Sequence, residues 1–465
     1  MGIRFDNSYA RDLPGAYLRL NPDVAPAPHL LAFNDRLAAD LGLDLGGHAA
    51  AWLSGAEVPP GAEPIAMAYA GHQFGGFSPQ LGDGRAHLLG EILAPDGRRW
   101  DLHLKGSGRT PFSRGGDGKA VVGPMLREYL MGEAMHALGV PTTRALAVVA
   151  TGEGVRREAG VLPGAVLARV AASHIRLGTF QFFAARRDPA GLRALLDYTI
   201  ARHDPGTDAL GLFDAVVARQ CRLIAQWMGL GFIHGVMNTD NMALSGETID
   251  YGPCAFMEAY APDTVFSSID HQGRYAWANQ PLILGWNLAR LAETLLPFFD
   301  ADGQRAVDIA NARLEGIAAR YQTEWQAVMR AKLALDGEAP GDAALVADLL
   351  AAMQAAGADW TLTFRRLGTE AMDAGLAVAL AGWLPRWQAR RRGDWAAAMA
   401  QVNPAVIPRN HLVEQALEAA NGGDIGPFRA LLAAVTDPFG SLAGRERFGL
   451  PAPAGLAPHV TYCGT

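Results

Sequence analysis

The chain has 465 residues, 50% of them hydrophobic and 19% charged, which suffices for two or three domains around a large buried core. A net charge of −7 and a pI near 6.0 provide no basic footprint for nucleic acid or for an anionic membrane surface. Three cysteines (Cys221, Cys254, Cys463) are too few for a disulfide framework and lack C-x-x-C spacing, so a reducing compartment fits best.

The opening MGIRFDNSYARDLPG has no basic stretch followed by an apolar one, and Asp6 spoils the myristoylation pattern. The longest apolar run, Ala374 to Leu384, is far short of a bilayer span and is bounded by Asp373 and Pro385. We expect a cytoplasmic monomer with no membrane or nucleic-acid partner.

From Tyr69 to Gly123 the chain is dense in glycine. GDGR (82–85) reads as a loop, followed by strands over 86–93 and 100–106 joined by the turn Pro95-Asp96-Gly97. Leu102 and Leu104 alternate with His103 and Lys105, the pattern of a half-buried strand. Only three of the forty basic residues are lysines, and two of them, Lys105 and Lys119, lie within fifteen residues of each other in this glycine-rich region. That points to a chemical need for an ammonium near phosphate, the alternative being chance.

Pro124 and Gly139 bracket a helix whose inner face carries Glu128 beside Met131, Met135 and Leu138. A carboxylate there requires a cation; we expect Lys105 to pair with Glu128, with Glu133 as the competitor. Residues 144–152 and 165–171 read as a second hairpin, completing a small, mainly antiparallel lobe with one helix. Beyond about Ser173, amphipathic helices are expected over 212–231, 283–298, 312–335 and 411–421.

The helix at 212–231 leads into HGVMNTDNMALSGETIDYG (234–252). Protein kinases use H-R-D-L-x-x-x-N for a base and a metal ligand, then D-F-G for a second ligand. His234, Asn241 and Asp250-Tyr251-Gly252 keep that pattern, but Val236 stands at the base position. A glycine loop, a strand lysine, a helical glutamate, an asparagine and an aspartate follow in kinase order. The fold class expected is therefore α+β: a bilobal kinase-like fold with a β-rich N-lobe (1–172, including an N-terminal extension), a helical C-lobe (173–330) and a helical C-terminal extension (331–465). Asn241 and Asp250 offer the hard oxygen ligands that Mg²⁺ prefers. His72, His87, His174 and His234 have no metal-ligand spacing and are expected to be hydrogen-bonding core or loop residues.

Between Tyr69 and Leu296 the chain resembles the selenoprotein O (SelO) family. The resemblance runs through YAGHQFGGFSPQLGDGRAHLLGE, LKGSGRTPFSRGGDGKAVVGPMLREYLMGEAM, ARVAASHIRLGTF, HGVMNTDNM, DYGPCAF and DHQGRYAWANQP, with a further match in the tail VTYCGT. It implies protein adenylylation, in which AMP passes from ATP, bound inverted relative to a kinase, to a Ser, Thr or Tyr hydroxyl of a protein. It further implies that Asp240 is the base, that Gly82, Gly84, Arg85, Lys105, Asp117, Gly118, Arg169 and Arg176 contact ATP, and that Asn241 and Asp250 hold Mg²⁺ or Mn²⁺.

On residue type alone, Asp240 could equally be a cap or a metal ligand, Arg169 a surface ion-pair partner and Arg176 a helix-end cation. The competing functions are an ATP-binding pseudokinase scaffold, a phosphotransferase and a UMP transferase. The resemblance also implies redox control through the terminal cysteine. In this chain that would pair Cys463 with Cys254, against which stands a buried structural Cys254.

Overall fold

Eight strands drawn from the first 171 residues form one antiparallel sheet in the computed structural model, which describes residues 2–158, 160–369, 371–372 and 374–462. Its strands run in the order Tyr17–Arg19, Ile65–Met67, Ala86–Leu93, Arg99–Lys105, Gly160–Ala171, Arg144–Arg157, His29–Phe33, with Phe5–Asp6 added beside Ala86–Leu93. The turn between Ala86–Leu93 and Arg99–Lys105 forms as its sequence dictates. Asp96 Oδ1 accepts from Arg98 N (2.9 Å), and Gly97 takes the left-handed conformation at φ +80°.

Two sequence expectations for this lobe are corrected. His103 and Lys105 are buried along with Leu102 and Leu104, so the strand is covered on both faces rather than half-exposed. The lobe also holds more than one helix. Asp35–Asp40 and Ala49–Ser54 bring Leu37, Leu41, Trp52 and Leu53 into a second small core with Leu89, Leu102, Leu104, Val149 and Val166. The strand alternates apolar and polar residues with no solvent face because its leucines enter this core, while on the other side His103 meets Asp83, Arg169 and His174 and Lys105 meets Glu128 and Asp250.

The helix expected from Pro124 begins earlier and spans Val122–Ala137. It packs on Arg144–Arg157 and Gly160–Ala171 and, from the other side, on Asn410–Asn421 and Gly426–Val435. Arg127 pairs with Glu414 (3.0 Å), Gly123 N donates to Asn421 Oδ1 (3.0 Å), and Tyr129 meets Phe428 edge to face. The last helices therefore clamp the element that carries Glu128.

The second lobe is helical, with Ala209–Leu230 and Gln280–Phe299 at its centre. The single helix expected over 312–335 is two, Gly303–Glu315 and Ile317–Lys332, broken at Gly316. Ala209–Leu230 delivers the chain into Phe232–Ile233, which pairs antiparallel with Ala255–Phe256. That two-residue ladder closes the loop from His234 to Cys254 at its base. The result is the bilobal kinase-like α+β fold. No helix among the described residues is long and apolar enough to cross a membrane.

Candidate active site

Strand Arg99–Lys105 places Lys105 Nζ 2.5 Å from Glu128 Oε1 on the clamped helix and 2.7 Å from Asp250 Oδ1. Glu133 is engaged elsewhere, by Arg144 (2.7 Å). Arg169, on the neighbouring strand, also reaches Asp250 Oδ1 (2.7 Å), and Arg176 reaches Asp250 Oδ2 (2.6 Å) while donating to Asp240 O (2.5 Å). The Arg176 guanidinium lies over the Tyr69 ring, 4.6 Å from its centroid. Burial alone would raise the Asp250 carboxyl, but the attraction of Lys105, Arg169 and Arg176 outweighs it and holds the group well below the usual range. Asp250 also sits at φ +64°, in the left-handed region that Asp tolerates better than bulkier residues.

Behind this cluster runs a buried relay that sequence reasoning missed. Arg169 Nε donates to His103 Nδ1 (3.2 Å), which leaves the ring proton on Nε2, 3.0 Å from Asp83 Oδ2. Asp83 is the central residue of the glycine loop and also accepts from Met67 N (3.1 Å). Burial, with His174 and Arg169 adding to it, pushes His103 well below the ordinary histidine range, so the ring stays neutral and can accept from Arg169. The loop Gly82–Arg85 is thus tied to Asp250 through three side chains, Asp83, His103 and Arg169. The polar positions of an alternating strand were the available signal.

Asp240 lies on a short 3-10 turn, Thr239–Asn241, against the hairpin Gly71–Gln73 and Gly76–Ser78. Its Oδ2 accepts from Gln73 Nε2 (3.1 Å), while its Oδ1 is buried with no partner. Burial shifts this carboxyl upward, with Gln73 and Arg176 opposing. A side chain at Gly71 would run into the Asp240 carboxylate, so the hairpin can approach only as glycine. Val236, at the kinase base position, contributes its carbonyl, which accepts from Asn241 Nδ2 (3.0 Å).

The remaining expected residues occupy different places. Gly82 and Gly84 pack directly beneath Phe112, where a Cβ on either would strike its ring or carbonyl. Arg85 O accepts from Gly106 N (2.6 Å), fastening the glycine loop to the residue after Lys105. Asp117 and Gly118 lie on the connecting loop, where the largely exposed Asp117 carboxylate takes Arg157 (2.8 Å) and Gly118 abuts the Gly108 backbone. Lys119 pairs with Asp23 (3.0 Å) and Glu153 (3.3 Å), so of the two clustered lysines only Lys105 joins the Asp250 cluster.

The four histidines are hydrogen-bonded as expected. His234 meets Ile249 O (2.8 Å), His174 Asp101 (3.1 Å), His87 Ser107 (2.7 Å) and His72 Gln181 (2.8 Å). Cys254 is fully buried, its thiol turned to Tyr251 O (3.6 Å) and pushed up to about 12 by burial. Cys463 lies outside the described residues. Thr461 hydrogen-bonds Pro253 O through its hydroxyl (2.8 Å), which lays Thr461 beside the Cys254 segment.

Among the described residues no group of three or more His, Cys, Asp or Glu is placed to hold a metal. Two of the expected ligands, Asp250 and Asn241, nevertheless keep an oxygen able to accept. Asp250 Oδ1 takes two donors but Oδ2 only one, and Asn241, committing its Nδ2 to Val236, turns Oδ1 the other way. Both are hard oxygens of the kind Mg²⁺ and Mn²⁺ accept, while the orphaned Asp240 Oδ1 keeps a lone pair free for a proton.

The protein adenylyltransferase SelO family model matches residues 2–436. The chain belongs to the SelO family. It is similar to proteins called protein nucleotidyltransferase YdiU: 60% identical to that of Cereibacter sphaeroides strain KD131, over the whole of both chains. It is 57% identical to that of Chromobacterium violaceum, over 97% of this chain and 100% of the relative, and 56% to that of Rhizobium johnstonii, over 99% and 97%. Membership makes this SelO chain a nucleotidyltransferase.

A half-buried carboxyl three residues before Asp250 sets a pH dependence of stability. Glu247 accepts from Ala172 N (3.0 Å) and Ser245 Oγ (2.8 Å), and burial pushes it up to about 7. Between about pH 4.3, the unfolded value, and about pH 7 the folded state binds the extra proton, so stability falls as pH rises through that window. Glu247→Gln should remove this fall. Thermal melts of variant and wild type should coincide near pH 4 and diverge in favour of the variant at pH 8, by on the order of 3 kcal/mol.

Proposed function

We propose that the cleft transfers AMP from ATP to Ser, Thr or Tyr hydroxyls of proteins, with the nucleotide inverted relative to a kinase. The observation that carries this reading is the pairing of a buried, half-unpartnered Asp240 carboxylate with a triad of cations converging on Asp250. Lys105, Arg169 and Arg176 would neutralise the β- and γ-phosphates with the α-phosphorus facing the acceptor, which their convergence on Asp250 supports. Arg85 and the glycines at 82, 84 and 118, with Asp117 on the loop above, would complete the nucleotide contacts. Glu128 holds Lys105 in place.

In the proposed step Asp240 takes the proton of the acceptor hydroxyl, whose oxygen forms a bond to the α-phosphorus. The bond from that phosphorus to the bridging oxygen breaks, and pyrophosphate leaves. Asn241 and Asp250 would hold Mg²⁺ or Mn²⁺, which supplies positive charge to the phosphates. The division into N-lobe (1–172), C-lobe (173–330) and C-terminal extension (331–465), and a cytoplasmic setting, belong to the same proposal.

Isotopic labelling tests it. ATP labelled at the α-phosphate should mark protein and ATP labelled at the γ-phosphate should not; transfer of γ-label alone would make this a phosphotransferase, and transfer of neither a scaffold. Replacing ATP with α-labelled UTP tests UMP transfer in the same format. Lys105→Ala should abolish α-label incorporation, and full activity in that variant would remove Lys105 from the site.

A further inference from the structure

The hairpin Gly71–Gln73 and Gly76–Ser78 carries a motif that the nucleotide chemistry does not use. It is fixed to the Asp240 loop residue by residue: His72 N donates to Thr239 Oγ1 (2.8 Å), Gln73 Nε2 to Asp240 Oδ2 (3.1 Å) and Phe74 N to Asn238 Oδ1 (3.1 Å). Tyr275 donates to the same Asn238 oxygen (2.6 Å), which ties in the segment containing Arg274. Anything seated on this hairpin is therefore held in register with Asp240.

The outer side of the hairpin is apolar and cationic. Phe74 is 37% and Phe77 45% exposed, and Leu282 on the adjoining helix is 71% exposed, one turn before Trp286. The Arg274 guanidinium lies 4.9 Å from the Trp286 ring centroid, and Arg290 lies 5.2 Å from it. Arg290 has a carboxylate, Glu293 (2.5 Å). Arg274 has no ion-pair partner among the described residues, and its Nε is buried without an acceptor. Stacking on Trp286 fixes the guanidinium plane in advance, which lowers the ordering cost of receiving a carboxylate.

The hairpin tip adds a second observation. Phe74 and Gly75 both have positive φ (+50° and +86°), as in a two-residue type I′ turn, where Asn-Gly is the favoured pair and a bulky first residue is strained. Phe74 meets Tyr275 edge to face (5.0 Å) but stays over a third exposed, so the strain is not offset by full burial.

We propose that this face docks the acceptor protein, and that it selects a segment in which the modified hydroxyl is flanked by a large apolar side chain and a carboxylate. The apolar side chain would rest on Phe74 and Phe77, and the carboxylate would pair with Arg274. The inference rests on Asp240 acting at the acceptor hydroxyl. The unpaired cation decides the charge of the partner, because a basic segment would bring like charge against a guanidinium that has no counter-ion.

The test uses the full chain and two fluorescent peptides with a central Tyr and a neighbouring Leu, one carrying Asp and the other Lys on the far side. Binding is read by anisotropy without nucleotide, and transfer by α-labelled ATP. Wild type should bind the Asp peptide at least about ten-fold more tightly than the Lys peptide, about 1.4 kcal/mol, and Arg274→Glu should reverse the order. Phe74→Asn, which suits the turn, should weaken both peptides without lowering the unfolding temperature.

The same peptide preference in wild type and Arg274→Glu, or none in wild type, overturns the docking face. So does wild-type affinity in Phe74→Asn if Arg274→Glu fails to fold. A charge reversal in binding without α-label transfer would keep the docking face and remove the AMP reading. Transfer with no charge preference would do the opposite.

Discussion

Asp250→Ala is expected to abolish transfer and to destabilise the protein by about 3–5 kcal/mol, the usual cost of removing one partner from a buried ion cluster. The size follows from the geometry. Three buried cations, Lys105, Arg169 and Arg176, converge on this one carboxylate within 2.7 Å, and in its absence only Glu128 is left among them, 3.9 Å from Arg169. Removing Asp250 leaves two buried guanidinium groups without a close counter-ion, which is worse than never having buried them.

Asp250→Asn, which keeps the shape but not the charge, should also lose transfer. Differential scanning fluorimetry with ATP and Mg²⁺ supplies an independent readout. A ligand stabilises the fold in proportion to its affinity, so the shift seen in wild type should vanish in Asp250→Ala. An equal shift in both proteins would remove Asp250 from the proposed metal site.

Asp240→Asn should share the loss of transfer, by about 10²- to 10⁴-fold, the range for a positioned base, but differ in stability, which stays unchanged or rises. Asp240 Oδ1 is buried without a hydrogen bond, and Gln73 supplies the one side-chain donor to the other oxygen. A neutral amide of the same shape removes the cost of burying an unpaired charge while its oxygen still accepts from Gln73. α-Label incorporation and a thermal melt, run side by side, distinguish this from a folding defect. Retained transfer would remove Asp240 as the base, and a large drop in unfolding temperature would assign it a structural role.

These opposite expectations for stability at two aspartates ten residues apart could not be assigned from their spacing. Composition, the turn Pro95-Asp96-Gly97, the strand ending at Lys105 and the helix carrying Glu128 were legible because each depends on neighbours a few residues away. The pairing of Lys105 with Glu128 was legible too, since a lysine ending a strand and a carboxylate on the inner face of the next helix have few other partners.

What only the tertiary structure decided are contacts between segments far apart in the chain. Asp83, His103, Arg169 and Asp250 come from four separate elements. Gln73 meets Asp240, 167 positions away. Glu414 and Asn421, near the end of the chain, brace the Glu128 helix. In one strand, His103 and Lys105 alternate with leucines as they would on a solvent face, and only the distant segments that carry Asp83, Glu128, His174 and Asp250 cover those positions. Local patterning determines which residues share a face. Whether that face meets water or a buried charge depends on the long-range packing that covers it.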